Sequence, residues 1–210
     1  MLGFYNYTVI LTYMSLISAV VGTALAFEGN TFWAVFCLMF SGFCDMFDGK
    51  VAKTMDRTED EKKFGIQIDS LSDVIAFGVL PAAIGYSVGL TEWWGKALMG
   101  IFVLAALIRL AYFNVMEEKR QKKTSETRKE YTGLPVTTDA LIFPLVYAFK
   151  SVIGANFYIF YGVIMALVAF LFLFKFKVVK PKLKGMIIMT IAIFSLLFII
   201  SLTILIIIIL

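Results

Sequence analysis

The sequence contains no histidine, and this absence narrows the chemistry that the chain can perform. Histidine is the side chain that most readily exchanges protons near neutral pH, so any general base must be a carboxylate or a perturbed lysine or tyrosine. Cys37 and Cys44 are the only cysteines, and their spacing places both on one face of a predicted membrane helix, as small packing residues. Structural zinc sites are built mainly from cysteine and histidine, so the sequence argues against one.

Charged residues are also scarce, at 16%, whereas hydrophobic residues make up 60% of the chain. Soluble domains contain about a quarter charged residues. A helix needs ~20 mostly apolar residues to cross a bilayer, and lipid cannot satisfy the hydrogen bonds of irregular backbone. Seven segments are long and apolar enough: residues 5–27, 31–52, 64–90, 95–116, 134–152, 155–174 and 186–208. Asp139 and Pro144 interrupt the fifth of these segments.

These segments predict an all-α polytopic membrane helix bundle that forms a single domain over residues 1–210. We find no internal repeat and no soluble domain in the sequence. The basic region and cleavage site of a signal peptide are also missing before the first segment, so we expect this segment to be retained. Pro81 and Pro144 are expected to kink their helices, because proline cannot donate the usual backbone hydrogen bond.

Most of the 19 Lys and Arg residues lie in three polar connections, which sets the expected orientation in the membrane. The basic connections are residues 50–63, 117–133 and 175–185. The alternate connections contain only Lys96 and Lys150. Because basic loops favour the cytoplasmic side, we expect the N-terminus inside and the C-terminus outside, with Trp93 and Trp94 at the outer interface. This topology accounts for the net charge of +4, and no nucleic-acid partner is expected.

Four aspartates lie at or inside the second and third predicted spans, in a hairpin of residues 31–90. Asp45 and Asp48 are three positions apart and Asp69 and Asp73 are four apart, so each pair shares one helix face. Both pairs lie near the cytoplasmic ends of antiparallel helices and are expected to face each other. Ionisable side chains in spans are costly and are functional candidates for that reason.

The connection between the two pairs contains a helix start signal. Thr58 and Glu61 form a T-x-x-E capping box, which predicts that a helix begins near residue 59. Small residues flank the aspartates on both helices. Gly49, Ala52 and Gly65 either let the helices pack closely or leave room for a flat or phosphorylated ligand.

Divalent cations are the simplest way to offset four carboxylates at a membrane edge. Oxygen ligands suit Mg²⁺, Mn²⁺ or Ca²⁺, and four carboxylates carry enough negative charge to neutralise two such ions. Two metal ions ~3.5–4 Å apart are a common device in phosphoryl-type displacements. The sequence therefore predicts a metal site in the hairpin.

The pattern Asp45-x2-Asp48-Gly49-x2-Ala52-Lys53, followed by Gly65-x3-Asp69-x3-Asp73, resembles the signature of the CDP-alcohol phosphatidyltransferase family. That signature is D-x2-D-G-x2-A-R, about eight residues, and G-x3-D-x3-D. The chain departs from it in two ways. Lys53 stands where the family has arginine, which keeps the charge and loses the bidentate fork. The spacer before Gly65 has eleven residues.

The resemblance implies a six-helix core, here with about one additional C-terminal span, and a homodimer with its site at the cytoplasmic edge. Asp45, Asp48 and Asp69 would be metal ligands, and Asp73 would be both a ligand and the base that deprotonates the acceptor hydroxyl. The ions would be Mg²⁺ or Mn²⁺, two in number, with Ca²⁺ as a non-productive occupant. CMP would be the leaving group. The nucleotide and diphosphate would contact Asp48, Gly49, Ala52, Lys53 and Gly65.

Three further segments are similar to the phosphatidylserine synthase branch of this family: "IDSLSDVIAFGVLPA" at 68–82, "RLAYFN" at 109–114 and "TGLPVTTDA" at 132–140. The likeness implies that CDP-diacylglycerol and L-serine give phosphatidylserine and CMP in the plasma membrane of a prokaryote, on the cytoplasmic side. The acceptor or a phosphate would contact Arg109, Asn114, Thr137 and Asp139.

Alternatives remain open at this point. Arg109 lies inside the fourth predicted span and needs an anion, which is either Asp139, the aspartate cluster, the acceptor carboxylate or a lipid phosphate. Glycerol 3-phosphate or inositol phosphate is an alternative acceptor. Such acceptors would want two or more basic residues around the acceptor pocket, whereas only Arg109 is expected to be buried among the spans. An ether-lipid donor also fits. An ion-coupled transporter is a further alternative, although such folds usually show internal repeats.

Overall fold

A computed structural model describes residues 3–122 and 130–179, together with single positions between 185 and 202. Its helices are α1 (Ile10–Phe27), α2 (Thr31–Val51), α3 (Glu59–Asp73), α4 (Leu80–Ser87), α5 (Trp93–Gln121), α6 (Asp139–Ala148), α7 (Lys150–Ile153) and α8 (Phe157–Leu173). Short 3-10 turns occupy Tyr7–Val9, Ala52–Thr54, Val136–Thr138 and Gly154–Asn156. A π-helical segment, Val74–Val79, joins α3 to α4. Two strands, β1 (Glu130–Thr132) and β2 (Lys177–Val179), complete the described elements.

Within the described residues, five helical stretches are long and apolar enough to cross a membrane: Tyr7–Phe27, Thr31–Val51, Glu59–Ser87, Trp93–Arg120 and Lys150–Leu173. They correspond to the first four and the sixth of the predicted segments. The prediction of an all-α polytopic membrane bundle is therefore confirmed, and the chain is an integral membrane protein. The seventh predicted segment, 186–208, lies largely outside the described residues.

The fifth predicted segment, 134–152, is shorter than expected. Its apolar helical stretch covers Val136–Ala148, and a turn at Phe149 separates α6 from α7. Pro144 lies inside α6 without ending it. The apolar helix of this segment is therefore shorter than expected, and it packs against α2.

A small antiparallel ribbon connects two regions that were expected to be loops. Residue Glu130 pairs with Val179, and Thr132 pairs with Lys177. The ribbon joins the chain entering α6 to the chain leaving α8. Gly133 follows directly with φ of +78°, and its N–H donates to the carbonyl of Phe176 at 2.7 Å. This left-handed conformation favours glycine, which explains the residue at that turn.

Glycines bring α1 and α6 close to α2. A methyl group at Gly22 would lie 2.6 Å from the Cβ of Cys37, and one at Gly42 would overlap the Cβ of Ala140. Cys44 is buried on α2 and Cys37 is half-buried, in agreement with their interpretation as packing residues. These contacts fix α2, which carries two of the four aspartates, between its neighbours.

The helix that carries the other two aspartates changes its pitch directly after Asp73. The Leu80 N–H bonds to the carbonyl of Ile75, which is the wide π pattern. Pro81 follows, and in a regular helix its ring would crowd the carbonyl four residues earlier. The wider turn relieves that crowding. The Pro81 carbonyl accepts a hydrogen bond of 2.8 Å from the hydroxyl of Tyr161 on α8.

Candidate active site

Three of the four aspartates meet where α2 faces α3. One carboxylate oxygen from each of Asp45, Asp48 and Asp69 lies within 4.8 Å of the other two, and all three residues are half-buried. The expectation that the two aspartate pairs face each other is confirmed for these residues. We call these residues, together with Asp73, the aspartate cluster.

Asp73 is the most buried member of the aspartate cluster. It is the last residue of α3, one turn beyond Asp69, and it is 7% exposed. Its carboxyl group contacts that of Asp45 across the hairpin. The cluster therefore runs from the half-open triad to one shielded carboxyl group.

No lysine or arginine of the described residues forms an ion pair with the aspartate cluster. The ion pairs that the structure shows join Glu59 to Lys62 and two further pairs near the end of α5. Like charges at these separations repel strongly where water is partly excluded. The Oδ1 atom of Asp69 is buried and has no hydrogen-bond partner among the described residues. An all-oxygen set with a free buried acceptor fits a divalent cation.

The start of α3 sets the position of Asp69 and Asp73. The Thr58 hydroxyl accepts the N–H of Glu61 at 3.3 Å, and the Glu61 carboxylate accepts the N–H of Thr58 at 2.8 Å. The predicted capping box is thus confirmed, and the helix begins at Glu59. The amide of Asn6 also donates to the Glu61 carboxylate, at 3.3 Å. This contact ties the N-terminal segment to the connection between α2 and α3.

A cavity of about 380 Å³ opens beside the triad. It is lined by Thr8, Val9, Thr12, Asp48, Gly49, Ala52, Arg57, Lys62, Gly65, Ile66 and Asp69. Four of the five predicted nucleotide-binding residues therefore line one space. The side chain of the fifth, Lys53, lies outside the described part of the chain. Within the described residues, a methyl group at Gly49 would meet nothing within 4 Å, so this glycine leaves space beside the cavity.

The residues predicted for the acceptor fall into two places. Asn114 donates a hydrogen bond of 2.7 Å to the hydroxyl of Ser70, which lies next to Asp69 on α3. Asn114 is thereby attached to the hairpin that carries the aspartate cluster. Thr137 lies in the 3-10 turn before α6 and is half-buried.

Arg109 is 6% exposed, and its Nε donates to the carbonyl of Leu134 at 3.0 Å. Its guanidinium also lies 5.4 Å from the ring centre of Phe113. Asp139 is fully buried, and neither of its carboxylate oxygens has a hydrogen-bond partner within the described residues. The alternative that Arg109 pairs with Asp139 is therefore wrong. The Nε of Arg109 instead donates its hydrogen bond to the backbone carbonyl of Leu134, which precedes α6.

Three residues of the site were not predicted from the sequence: Ser70, Arg57 and Thr8. Ser70 contacts a residue 44 positions away, and Thr8 reaches the cavity from the N-terminal segment. Helical periodicity reports neighbours on one helix and carries no signal for such contacts. The basic character of Arg57 was noted only as part of a cytoplasmic connection.

Comparisons with known proteins agree with this geometry. A family model described as CDP-alcohol phosphatidyltransferase matches residues 5–210. The chain is 38% identical over 113 residues to the CDP-diacylglycerol–serine O-phosphatidyltransferase of Saccharomyces cerevisiae, a match that covers 52% of this chain and 40% of the yeast protein. It is 37% identical over 114 residues to the protein of the same name from Helicobacter pylori, covering 52% and 43% of the two chains.

A third relative is the archaetidylserine synthase of Methanothermobacter thermautotrophicus. It is 32% identical over 151 residues, which cover 70% of this chain and 61% of the archaeal one. The chain spans about half the length of the curated relatives that it matches. Because the family model covers nearly the whole sequence and its aspartate pattern converges in space, the chain belongs to the CDP-alcohol phosphatidyltransferase family.

Proposed function

We propose that the chain transfers a phosphatidyl group from CDP-diacylglycerol to the hydroxyl of L-serine, giving phosphatidylserine and CMP. One observation carries this proposal. Carboxylate oxygens of Asp45, Asp48 and Asp69 lie within 4.8 Å of one another, beside a cavity that Gly49 and Gly65 help to line. The names of the relatives from yeast and Helicobacter pylori support serine as the acceptor. The fold and the family support the general chemistry.

The aspartate cluster would hold divalent metal, with Mg²⁺ or Mn²⁺ as the working ion and two ions as the expected number. Four carboxylates without a basic partner in the described chain, and an unpartnered buried oxygen on Asp69, support this assignment. When bound, such ions neutralise a diphosphate and stabilise charge that develops on a leaving group. Ca²⁺ would compete for the same oxygens without supporting turnover.

Asp73 is the proposed general base. It would take the proton of the serine hydroxyl while that oxygen attacks the lipid-side phosphorus and the bond to the bridging oxygen of CMP breaks. Its place at the shielded end of the cluster supports this role, because water is partly excluded there. The chain has no histidine that could take the proton instead. Holding donor and acceptor together can contribute ~7–11 kcal/mol towards the barrier.

The cavity beside the triad would bind the nucleotide part of the donor. Asp48, Gly49, Ala52, Lys53 and Gly65 are the proposed contacts, and four of them line that cavity. The lipid tails would remain in the bilayer, alongside the apolar faces of the spans. This arrangement would bring the diphosphate to the aspartate cluster at the membrane edge.

The acceptor would enter from the side of α5. Asn114 supports this because its hydrogen bond to Ser70 places it within a turn of Asp69 and Asp73. Arg109 would bind the serine carboxylate or a lipid phosphate. Thr137 and Asp139 stay predictions as acceptor contacts, and the full burial of Asp139 offers them no support.

We further propose that the aspartate cluster faces the cytoplasm of a prokaryotic cell, with the N-terminus inside, and that the protein works as a homodimer. The orientation rests on the basic connections at 50–63, 117–133 and 175–185.

An assay with purified full-length chain in lipid nanodiscs tests the reaction. Labelled L-serine, CDP-diacylglycerol and Mg²⁺ or Mn²⁺ should give labelled phosphatidylserine and one CMP per product. Parallel reactions with glycerol 3-phosphate and inositol phosphate serve as controls. Release of CMP with either phosphorylated acceptor and none with serine would contradict the choice of acceptor.

The match to the archaeal relative favours a second candidate, in which the donor carries ether-linked chains. That match covers a larger share of this chain than the yeast match does. The same assay with a CDP-activated ether lipid distinguishes the two donors. A higher kcat/KM for the ether lipid would assign the chain to that donor class.

A further inference from the structure

Arg57 lies in the connection between α2 and α3 and lines the cavity beside the aspartate triad. The residue is half-buried. A methyl group at Gly65 would lie 3.1 Å from its Nη1 atom. The guanidinium of Arg57 therefore lies against Gly65, and both residues line the cavity on the side of α3.

Arg57 has no partner of its own among the described residues, although its neighbours do. Lys62, the other cation that lines the cavity, pairs with Glu59 at 2.9 Å. Glu61 lies near enough to Arg57 for an electrostatic interaction, but its carboxylate accepts hydrogen bonds from Thr58 and Asn6. No hydrogen bond or ion pair joins Arg57 to any residue that the structure describes. A guanidinium carries five N–H donors, and a half-buried one needs an acceptor.

The same cavity is also lined by carboxylates, which provide the complementary chemistry. Asp48 and Asp69 belong to the triad that fits divalent cations, and cations held there would attract phosphate oxygens. Within the described residues, Gly49 leaves space beside the cavity. A ligand with two linked phosphates offers oxygens both to cations held by the aspartates and to the guanidinium of Arg57, which lines the same cavity. Arginine binds phosphate through parallel N–H donors, which gives both strength and orientation.

We propose that Arg57 binds a phosphate oxygen of the nucleoside diphosphate and so orients the donor; this inference rests on the proposed function. Arg57 lies outside the residues of the aspartate pattern and would act as a binding residue. Its contribution is made to the nucleotide phosphate and not to the cytosine base or the ribose. The affinity for a phosphate-free nucleoside should therefore not depend on it.

Isothermal titration of the full-length chain in detergent, with Mn²⁺ present, tests this assignment with CDP, CMP and cytidine as probes. Arg57→Ala should weaken the binding of CDP and CMP by about tenfold, the size expected for one partly exposed charge-assisted hydrogen bond. Arg57→Lys should fall between Arg57→Ala and the wild type, because it keeps the charge and loses the fork. Lys63→Ala is the matched control, since Lys63 is an exposed basic residue of α3 that is not among the residues lining the cavity.

The outcomes separate this inference from the proposed function. Equal affinity of wild type and Arg57→Ala for CDP would overturn the inference alone, as would an equal loss for cytidine. Failure of the wild-type chain to bind CDP or CMP would overturn both. Thermal melting without nucleotide provides the folding check. Arg57→Ala should have the same melting temperature as the wild type, because its side chain makes no hydrogen bond or ion pair with the described residues. If the melting temperature of Arg57→Ala is lower, the affinities of Arg57→Lys and the wild type are compared instead.

Discussion

Asp69 and Asp73 occupy the same face of α3 but lie in different surroundings. Asp69 belongs to the triad within 4.8 Å, whereas Asp73 lies one turn deeper, is 7% exposed and contacts Asp45. If Asp69 is a metal ligand and Asp73 is the base, replacing each of them should change binding and turnover differently.

Asp73→Asn should lower kcat by about 10²–10⁴-fold, the usual contribution of a general base, and should weaken metal-dependent CDP binding less. Asp69→Asn should weaken CDP binding and turnover together, because it removes a metal ligand. CMP release and CDP titration measure the two effects. Asp60→Asn, on an exposed turn of the same helix, is the control. Near-normal kcat in Asp73→Asn would assign the base to another group.

At the scale of residues, spacing predicted the aspartate cluster because a helix fixes which side chains share a face. Asp45, Asp48 and Asp69 were placed correctly on this ground. The hydrogen bond from Asn114 to Ser70 joins separate helices, and the approach of Arg57 to Gly65 depends on the path of a loop. Local sequence patterns do not encode either contact.

At the scale of elements, α2 is held by a close contact with α6. A methyl group at Gly42 would overlap the Cβ of Ala140, and both helices are buried at this point. Asp45 lies one turn from Gly42 on the same helix. Spacing between these helices therefore affects both stability and the position of a metal ligand.

Gly42→Ala should lower the melting temperature, because an extra methyl group in a packed helix contact costs about 1–3 kcal/mol. Differential scanning calorimetry in detergent measures the change. Gly100→Ala is the matched control, because a methyl group there meets nothing within 4 Å and glycine is the weaker helix former. An unchanged melting temperature in Gly42→Ala would show that α6 can move away from α2.

The elements differ in how well the sequence predicted them. The start of α3 followed from Thr58 and Glu61, because a capping box is a local arrangement of neighbouring residues. The π-helical segment Val74–Val79 carries no separate pattern, since its residues are as apolar as those of any span. Strands β1 and β2 contain three residues each and pair across a large sequence separation. Such short strands show no recognisable alternation of apolar and polar residues.

At the scale of the whole molecule, negative charge collects at one end of the hairpin and no basic partner within the described chain offsets it. Folding brings these carboxylates together against their repulsion. Bound cations would remove that cost, so the stability of the whole bundle should depend on divalent metal.

Addition of Mg²⁺ or Mn²⁺ to chelator-treated protein should raise its melting temperature by several degrees, and chelation should reverse the change. Potassium chloride at matched ionic strength is the control for screening. The shift should be largely lost in Asp45→Asn, which removes one ligand of the triad. An equal shift with potassium chloride would show that general screening, and not a metal site, stabilises the protein.

The bundle itself was predictable because the apolar length of a span is set by the bilayer. Four of the first five predicted segments were found at close to their predicted bounds. The fifth came out shorter because its helix starts late, after the ribbon and Gly133, and stops at Phe149. The ribbon at its start is formed with β2, which lies far along the chain after this segment.

The antiparallel ribbon has a consequence for truncated forms of the chain. A methyl group at Gly133 would lie 3.3 Å from the Phe174 carbonyl and 3.4 Å from the Nε of Arg109, so Gly133 packs closely against both the end of α8 and this arginine. Every residue of the aspartate pattern precedes α4, yet a fragment that stops at Leu173 would lack β2 and the Phe176 carbonyl that anchors Gly133. We therefore expect a fragment that stops at Leu173 to lose the anchored turn at Gly133, whereas a fragment that extends through Val179 should keep it.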